Sequence, residues 1–288
     1  MKNIIIKFKT IIKKNYALIL RVSLLLFDSK LLFLYSIRNL AINRSLYDDE
    51  VIFTTAADSK YFDNVTEMLE SYFKNLTNPI IFYDLGLTEN QHELLSKKFE
   101  KLEIRKFNFS KYPDFLGKFH DEKLGNYAWK PVIIYDLMIE KKSNIVWMDA
   151  GNVITKGINR LKIFLTALDV VVPISSNKVL DWTHKDTIKY MELDNKYLRK
   201  KNFASGLIGF NFNSEVAKFI SHEWKNYALV EDCIAPKGSS RKNHRQDQSL
   251  LTILLYKHLI NKNYKTFLQP KSNFSLGVLF HSFKFFQF

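Results

Sequence analysis

Asn144-Ile-Val-Trp-Met-Asp149-Ala-Gly151-Asn152 is an apolar run that ends on a carboxylate, followed by two positions with almost no side chain. Its length and its flanking polar residues predict a buried strand over 144–148. A carboxylate at a strand's C-terminal end stands where α/β sheets bind their ligands. Asp149 there can bind Mg²⁺ or Mn²⁺, since both are hard cations that prefer oxygen and can bridge to a diphosphate. It can equally cap the turn that follows, a common task for aspartate.

Outward from this strand, the chain alternates. Residues 51–56 and 79–83 read as strands around an amphipathic stretch at 62–74; 89–99 reads as a helix, 102–107 as a strand, and 131–140 as a helix opened by Pro131. Beyond Asp149 come a short helix near 158–168, a strand at 170–173, an apolar glycine-containing run at 204–212, and helices from Ser214 and Gln246. Alternation of this kind predicts an α/β fold, a mostly parallel central sheet flanked by helices.

Lys and Arg number 43 against 29 acids in 288 residues, a formal charge of +14. Residues 1–47 hold nine of the bases and one acid, Asp28, for a local charge of +8. Basicity concentrated at one end argues against a nucleic-acid groove spread over the molecule. Ile4, Phe8, Ile11, Ile12 and Ile19 fall on one side of a helix and Lys2, Lys7, Lys9, Lys13 and Lys14 on the other. Residues 1–47 therefore read as a basic amphipathic helical segment, and residues 48–288 as the main domain. The apolar stripe either packs on the protein's own core or lies on an anionic membrane surface. Arg21, Asp28 and Arg38 break the runs too often for a membrane span or a signal peptide. With Cys233 the single cysteine, no intrachain disulfide can form, and a cytoplasmic setting is expected, extending to the inner face of the cytoplasmic membrane.

No Gly-rich loop ending in Gly-Lys-Ser/Thr, three-glycine dinucleotide fingerprint, paired-Cys or His-Glu-x-x-His zinc spacing, or Gly-x-Ser-x-Gly elbow occurs. The remaining polar blocks are Tyr127-Ala-Trp129-Lys130-Pro131, Phe203-Ala-Ser205-Gly206-Leu-Ile-Gly209, and Arg245-Gln246-Asp247-Gln248-Ser249. Together with Trp147-Met-Asp149, in this order and spacing, they resemble the GT-A glycosyltransferases of the glycogenin and lipopolysaccharide galactosyltransferase type, glycosyltransferase family 8. They resemble more closely a related group with Tyr-x-Trp-Lys-Pro, Trp-Met-Asp and Arg-x-Asp-Gln-Ser blocks. The likeness spans residues 51–259.

That resemblance implies a GT-A-like nucleotide-diphospho-sugar transferase fold and a hexosyltransferase-like activity of the kind used in polysaccharide biosynthesis. The sugar would move from a nucleotide-sugar donor, UDP-sugar favoured, to a glycan or lipid-linked acceptor. Asp149 matches the first aspartate of the Asp-x-Asp metal motif, while Gly151 stands where the second belongs, which puts dependence on Mn or Mg in doubt. His281, before Lys284, loosely matches a late metal-binding histidine. Lys130 matches a basic residue set against the donor diphosphate; Thr55 and Asp58 stand where the nucleoside is held. Ser205-Gly206 matches a turn beside the sugar, and Asp247 and Gln248 the pair that faces it. The missing second carboxylate also suits an alternative, a non-catalytic membrane-surface or acidic-polymer binding protein on the same scaffold. A metal-assisted phosphoesterase using Asp149, Asp247 and His244 is a third reading.

Overall fold

The computed structural model describes residues 51–120, 123–155, 161–162, 165, 168–260, 267–268 and 278–280. The basic segment 1–47, His281 and most of the helix expected near 158–168 lie outside them. Among the described residues no helix is long and apolar enough to cross a membrane.

The strands are, in chain order, β1 Val51–Ala57, β2 Ile80–Asp84, β3 Glu103–Lys106, β4 Phe119–His120, β5 Lys123–Leu124, β6 Asn144–Met148, β7 Asn152–Ile154, β8 Val170–Val171, β9 Ile174–Lys178, β10 Lys201–Phe203, β11 Leu207–Phe210, β12 Phe267–Leu268 and β13 Val278–Phe280. Seven of them form the central sheet in the order β12-β8-β11-β6-β1-β2-β3. β1, β2, β3 and β6 run parallel, as does β12 with β8, whereas β11 runs antiparallel to both β6 and β8. Every residue of β1 and of β6 is buried, because helices cover both faces.

Phe62–Asn75 turns Val65, Met68, Leu69 and Tyr72 onto one face, where they meet Phe53, Phe82 and Val146. The other face of the sheet carries Trp129–Lys141 and Glu215–Ala228, which bury Ile133, Leu137, Ile220 and Trp224 against Ile145, Trp147 and Phe210. Glu89–Lys98 starts on a capping box in which Thr88 and Gln91 satisfy each other's backbone N–H groups.

Two features of the topology place the site. From β1 the chain winds one way to β2 and β3, and β6 then pairs on the other flank of β1. This reversal opens a crevice at the C-terminal ends of β1 and β6. β11 is antiparallel to β6 with Leu207 opposite Met148, so the residues just before β11, Ser205 and Gly206, arrive beside Asp149.

Candidate active site

At that crevice lies a cavity of about 470 Å³. The end of β1 supplies Ala56, Ala57 and Asp58; the end of β6 supplies Asp149, Ala150 and Gly151; Ser205 comes from the turn before β11. Tyr127, Trp129 and Lys130 line it from the start of one helix, and Arg245, Gln246, Asp247 and Gln248 from the start of another, Gln246–Leu255.

Both helices are entered through unusual backbone. Gly125, Asn126 and Tyr127 all hold positive φ, at 53°, 50° and 64°, and Gln246 holds 38°. Only glycine fits the first position, where a Cβ would come within 2.3 Å of the Leu116 carbonyl oxygen. For the non-glycine residues this region costs roughly 1–2 kcal/mol each. Such conformations gather at ligand sites, held there by the surrounding structure. Here the bonds Gly125 N to Lys118 O at 2.8 Å and Trp129 Nε1 to Leu124 O at 3.0 Å hold the loop. The result brings Lys130 inward.

Lys130 is 3% exposed. Its Nζ lies 2.9 Å from Asp149 Oδ1 and 3.1 Å from Asp247 Oδ2, and it donates to the Ser205 carbonyl at 3.5 Å. The indole rings add to this: Trp147 Nε1 donates to Asp149 Oδ1 at 2.7 Å and Trp224 Nε1 to the Asp247 carbonyl at 2.8 Å. Burial pulls the Lys130 pKa down, but the two carboxylates outweigh it and hold the ammonium above the usual lysine range. Asp247 goes the other way from its partner's pull. Burial raises its carboxyl above the usual range, Lys130 opposes that, and the nearby Asp149 charge adds to it. A carboxyl shifted upward inside a cavity is suited to exchanging or sharing a proton with a ligand hydroxyl.

The structure therefore brings Lys130, Asp149, Ser205, Asp247 and Gln248 together, with Asp58 across the cavity. Asp58 Oδ1 accepts from the backbone N–H groups of Lys60 and Tyr61 at 3.1 and 3.3 Å, capping the turn that follows. Thr55 is not at the cavity: it is fully buried within β1, and the strand reaches the ligand space only from Ala56 onward. Gly206 also stays behind the lining, where its carbonyl accepts from Asp149 N at 2.9 Å and Asn152 Nδ2 at 2.6 Å. Lys130, expected against a diphosphate, lies between Asp149 and Asp247 with the Ser205 carbonyl also within reach, and so positions both carboxylates.

Of the two residues the resemblance assigns to a divalent cation, Asp149 is at the cavity and His281 lies outside the described residues. Among them no group of three His, Cys, Asp or Glu side chains comes together. Asp149 Oδ1 is already engaged by Lys130 and Trp147, and Gly151 offers no ligand.

His244 is not a ligand either. It is fully buried, accepts at Nδ1 from His184 N at 3.2 Å, and so carries its proton on Nε2, 2.8 Å from the Ile234 carbonyl. Burial pushes its pKa down to about 4, against the opposing pull of the Ile234 bond. The unfolded chain, with a value near 6.5, binds more protons between those limits, so stability is full above pH 6.5 and falls as the pH drops toward 4. The loss from this residue should reach about 3 kcal/mol. Urea unfolding of wild type and His244→Gln at pH 7 and pH 4.5 checks it: the variant should show the smaller pH dependence.

Among the lining residues, Arg241 was outside the sequence reading, and Arg245, which opens the block at 245–249, was given no role there. The signal is present nonetheless, since residues 237–245 hold Lys237, Arg241, Lys242 and Arg245 with no acid.

Residues 29–135 match the family described as Protein of unknown function (DUF1647). No curated protein matches the chain. Among solved structures, the apo WbbM bifunctional glycosyltransferase is similar with a TM-score of 0.50 and 14% identity, over 73% of this chain and 38% of that one. The chain thus spans well under half the length of that relative. Mouse xyloside xylosyltransferase 1 gives 0.44 and 12%, covering 77% of this chain and 84% of its own. The galactosyltransferase LgtC, in complex with donor and acceptor sugar analogues, gives 0.44 and 11%, over 80% and 86%. The α/β fold of this chain, with its mostly parallel sheet flanked by helices, is similar to that of the WbbM glycosyltransferase.

Proposed function

We propose that the chain transfers a sugar from a nucleotide-sugar donor, UDP-sugar favoured, to a glycan or lipid-linked acceptor. The observation that carries this reading is the buried Lys130 bridging Asp149 and Asp247 at the carboxyl ends of the sheet, inside a cavity with room for a nucleotide sugar. Asp58 and Tyr61 at the end of β1 take the nucleoside. Asp247 accepts hydrogen bonds from hydroxyls of the transferred sugar, and the Gln248 amide, whose Nε2 has no partner among the described residues, donates to it. Lys130 keeps Asp247 oriented and limits the energy of burying its charge. Ser205, small and at the wall, leaves space for the sugar ring. Residues 1–47 complete the proposal as an attachment to anionic membrane that would bring the site to a lipid-linked acceptor.

The test is a screen of UDP-, GDP- and CDP-sugars for release of nucleotide diphosphate, run with and without Mn²⁺. Release from one nucleotide class, with a matching rise in melting temperature, is the expected result, because a ligand that binds the folded state stabilises it by mass action. A chain that neither cleaves nor is stabilised by any of them is not a glycosyltransferase of this kind, and the non-catalytic binding role then stands.

A further inference from the structure

Each carboxylate of the cavity has a neighbour of its own: Lys130 lies between Asp149 and Asp247, and Asp58 Oδ1 caps its own turn. The two arginines of the lining have no carboxylate beside them among the described residues. Arg245 stacks its guanidinium on the Trp182 ring at 4.3 Å, and its backbone N–H is tied to the Trp182 carbonyl at 3.0 Å. This fixes the side chain at the wall, yet its Nε is buried with no hydrogen-bond partner among the described residues. Arg241, exposed, has as its one polar side-chain contact among them the Tyr127 hydroxyl, 3.5 Å from Nη1. Neither guanidinium is paired with a carboxylate among the described residues. Burial, and to a smaller extent the neighbouring Arg241 charge, lowers the Arg245 pKa.

Preorganised arginines of this kind match oxyanions, which accept two parallel N–H bonds from each planar fork. The geometry points to a subsite in which Arg241 and Arg245 bind an oxyanion group, phosphate or carboxylate, of a small molecule seated in the cavity. It rests on the glycosyl-transfer reading only for the source of that group, which is either the diphosphate of the donor or an acidic substituent on the acceptor. Lys130 lies between two carboxylates, whereas these two side chains bring positive charge that no carboxylate among the described residues offsets.

Isothermal titration of the full chain with inorganic pyrophosphate, glucose 6-phosphate and UDP, for wild type, Arg241→Gln and Arg241→Gln/Arg245→Gln, tests this. Pyrophosphate or glucose 6-phosphate should bind wild type in a salt-sensitive manner, and lose about tenfold in affinity in the single variant and more in the double. UDP affinity falling by the same factor assigns the subsite to the donor. UDP affinity held while that of glucose 6-phosphate falls assigns it to the acceptor. Arginine-dependent pyrophosphate binding without any UDP binding would sink the nucleotide-sugar reading and leave the subsite standing. Should the double variant fail to fold, the exposed Arg241→Gln change decides alone. Equal affinities in wild type and variants, or no binding of any of the three to wild type, would overturn the proposal.

Discussion

Replacing Lys130 by Met should lower stability by about 3–5 kcal/mol and abolish any sugar transfer, the largest effect expected of one substitution in this chain. The side chain is buried, and its removal leaves Asp247, 4% exposed, facing the Asp149 charge with nothing between them. Thermal unfolding should show a drop of roughly 10 °C, since 1 kcal/mol shifts the midpoint of a domain this size by about 2–4 °C. The sign of the pH dependence separates lost charge compensation from lost packing. A carboxyl whose folded pKa lies above its unfolded value destabilises the fold at neutral pH, and this penalty fades as the pH falls toward the unfolded value. Lys130→Met should therefore regain stability on mild acidification, and the double variant Lys130→Met/Asp247→Asn should regain much of it at pH 7. A variant as stable as wild type, or one unimproved by the second change, would show that the ion cluster does not hold this region together.

Asp247→Asn should have the opposite profile, with little change in stability and a fall in transfer or donor hydrolysis of about 10²-fold or more, as for groups that act at the reacting centre. The substitution keeps the shape and removes a buried charge, so Lys130 retains Asp149 as its partner at 2.9 Å. Nucleotide affinity should stay within about twofold of wild type, because Asp247 is assigned to the sugar and not to the base or ribose. Gln248→Ala should act in the same direction. Steady-state kinetics alongside nucleotide titration read out both numbers. Activity within tenfold of wild type in a folded Asp247→Asn protein would reduce Asp247 to a helix-end carboxylate.

The parallel core is written in the sequence because its strands are short, apolar and punctuated. The run over 144–148 is the strand observed, and the stretch at 62–74 is the helix Phe62–Asn75. The helix expected from Pro131 begins at Trp129 instead, because a proline in the first turn removes only an N–H that has no helical partner there. Of the apolar run at 204–212 only Leu207–Phe210 is strand, β11 of the central sheet, while β10 just before it belongs to a small sheet with β9. The Ser205-Gly206 turn between them marks the change, yet no pattern says that β11 reverses direction. Thr55 was out of reach for a related reason. A strand buried on both faces loses the alternation that would tell which residue opens to a ligand. The engagement of Lys130 was also hidden, since its partners are Asp149 and Asp247, and no local spacing reports on such a pairing.

The reversal of β11 has a kinetic meaning as well as a geometric one. It pairs Leu207 with Met148 and carries Ser205 to a lysine at 130, while Asp247 comes from further still. Contacts of this separation form only after long loops have closed, which makes them slow to assemble. A nascent chain that has laid β1, β2, β3 and β6 side by side still lacks the Ser205 carbonyl, Asp247 and both arginines. Competence and completeness thus arrive together: an unfinished chain has only part of the cavity wall.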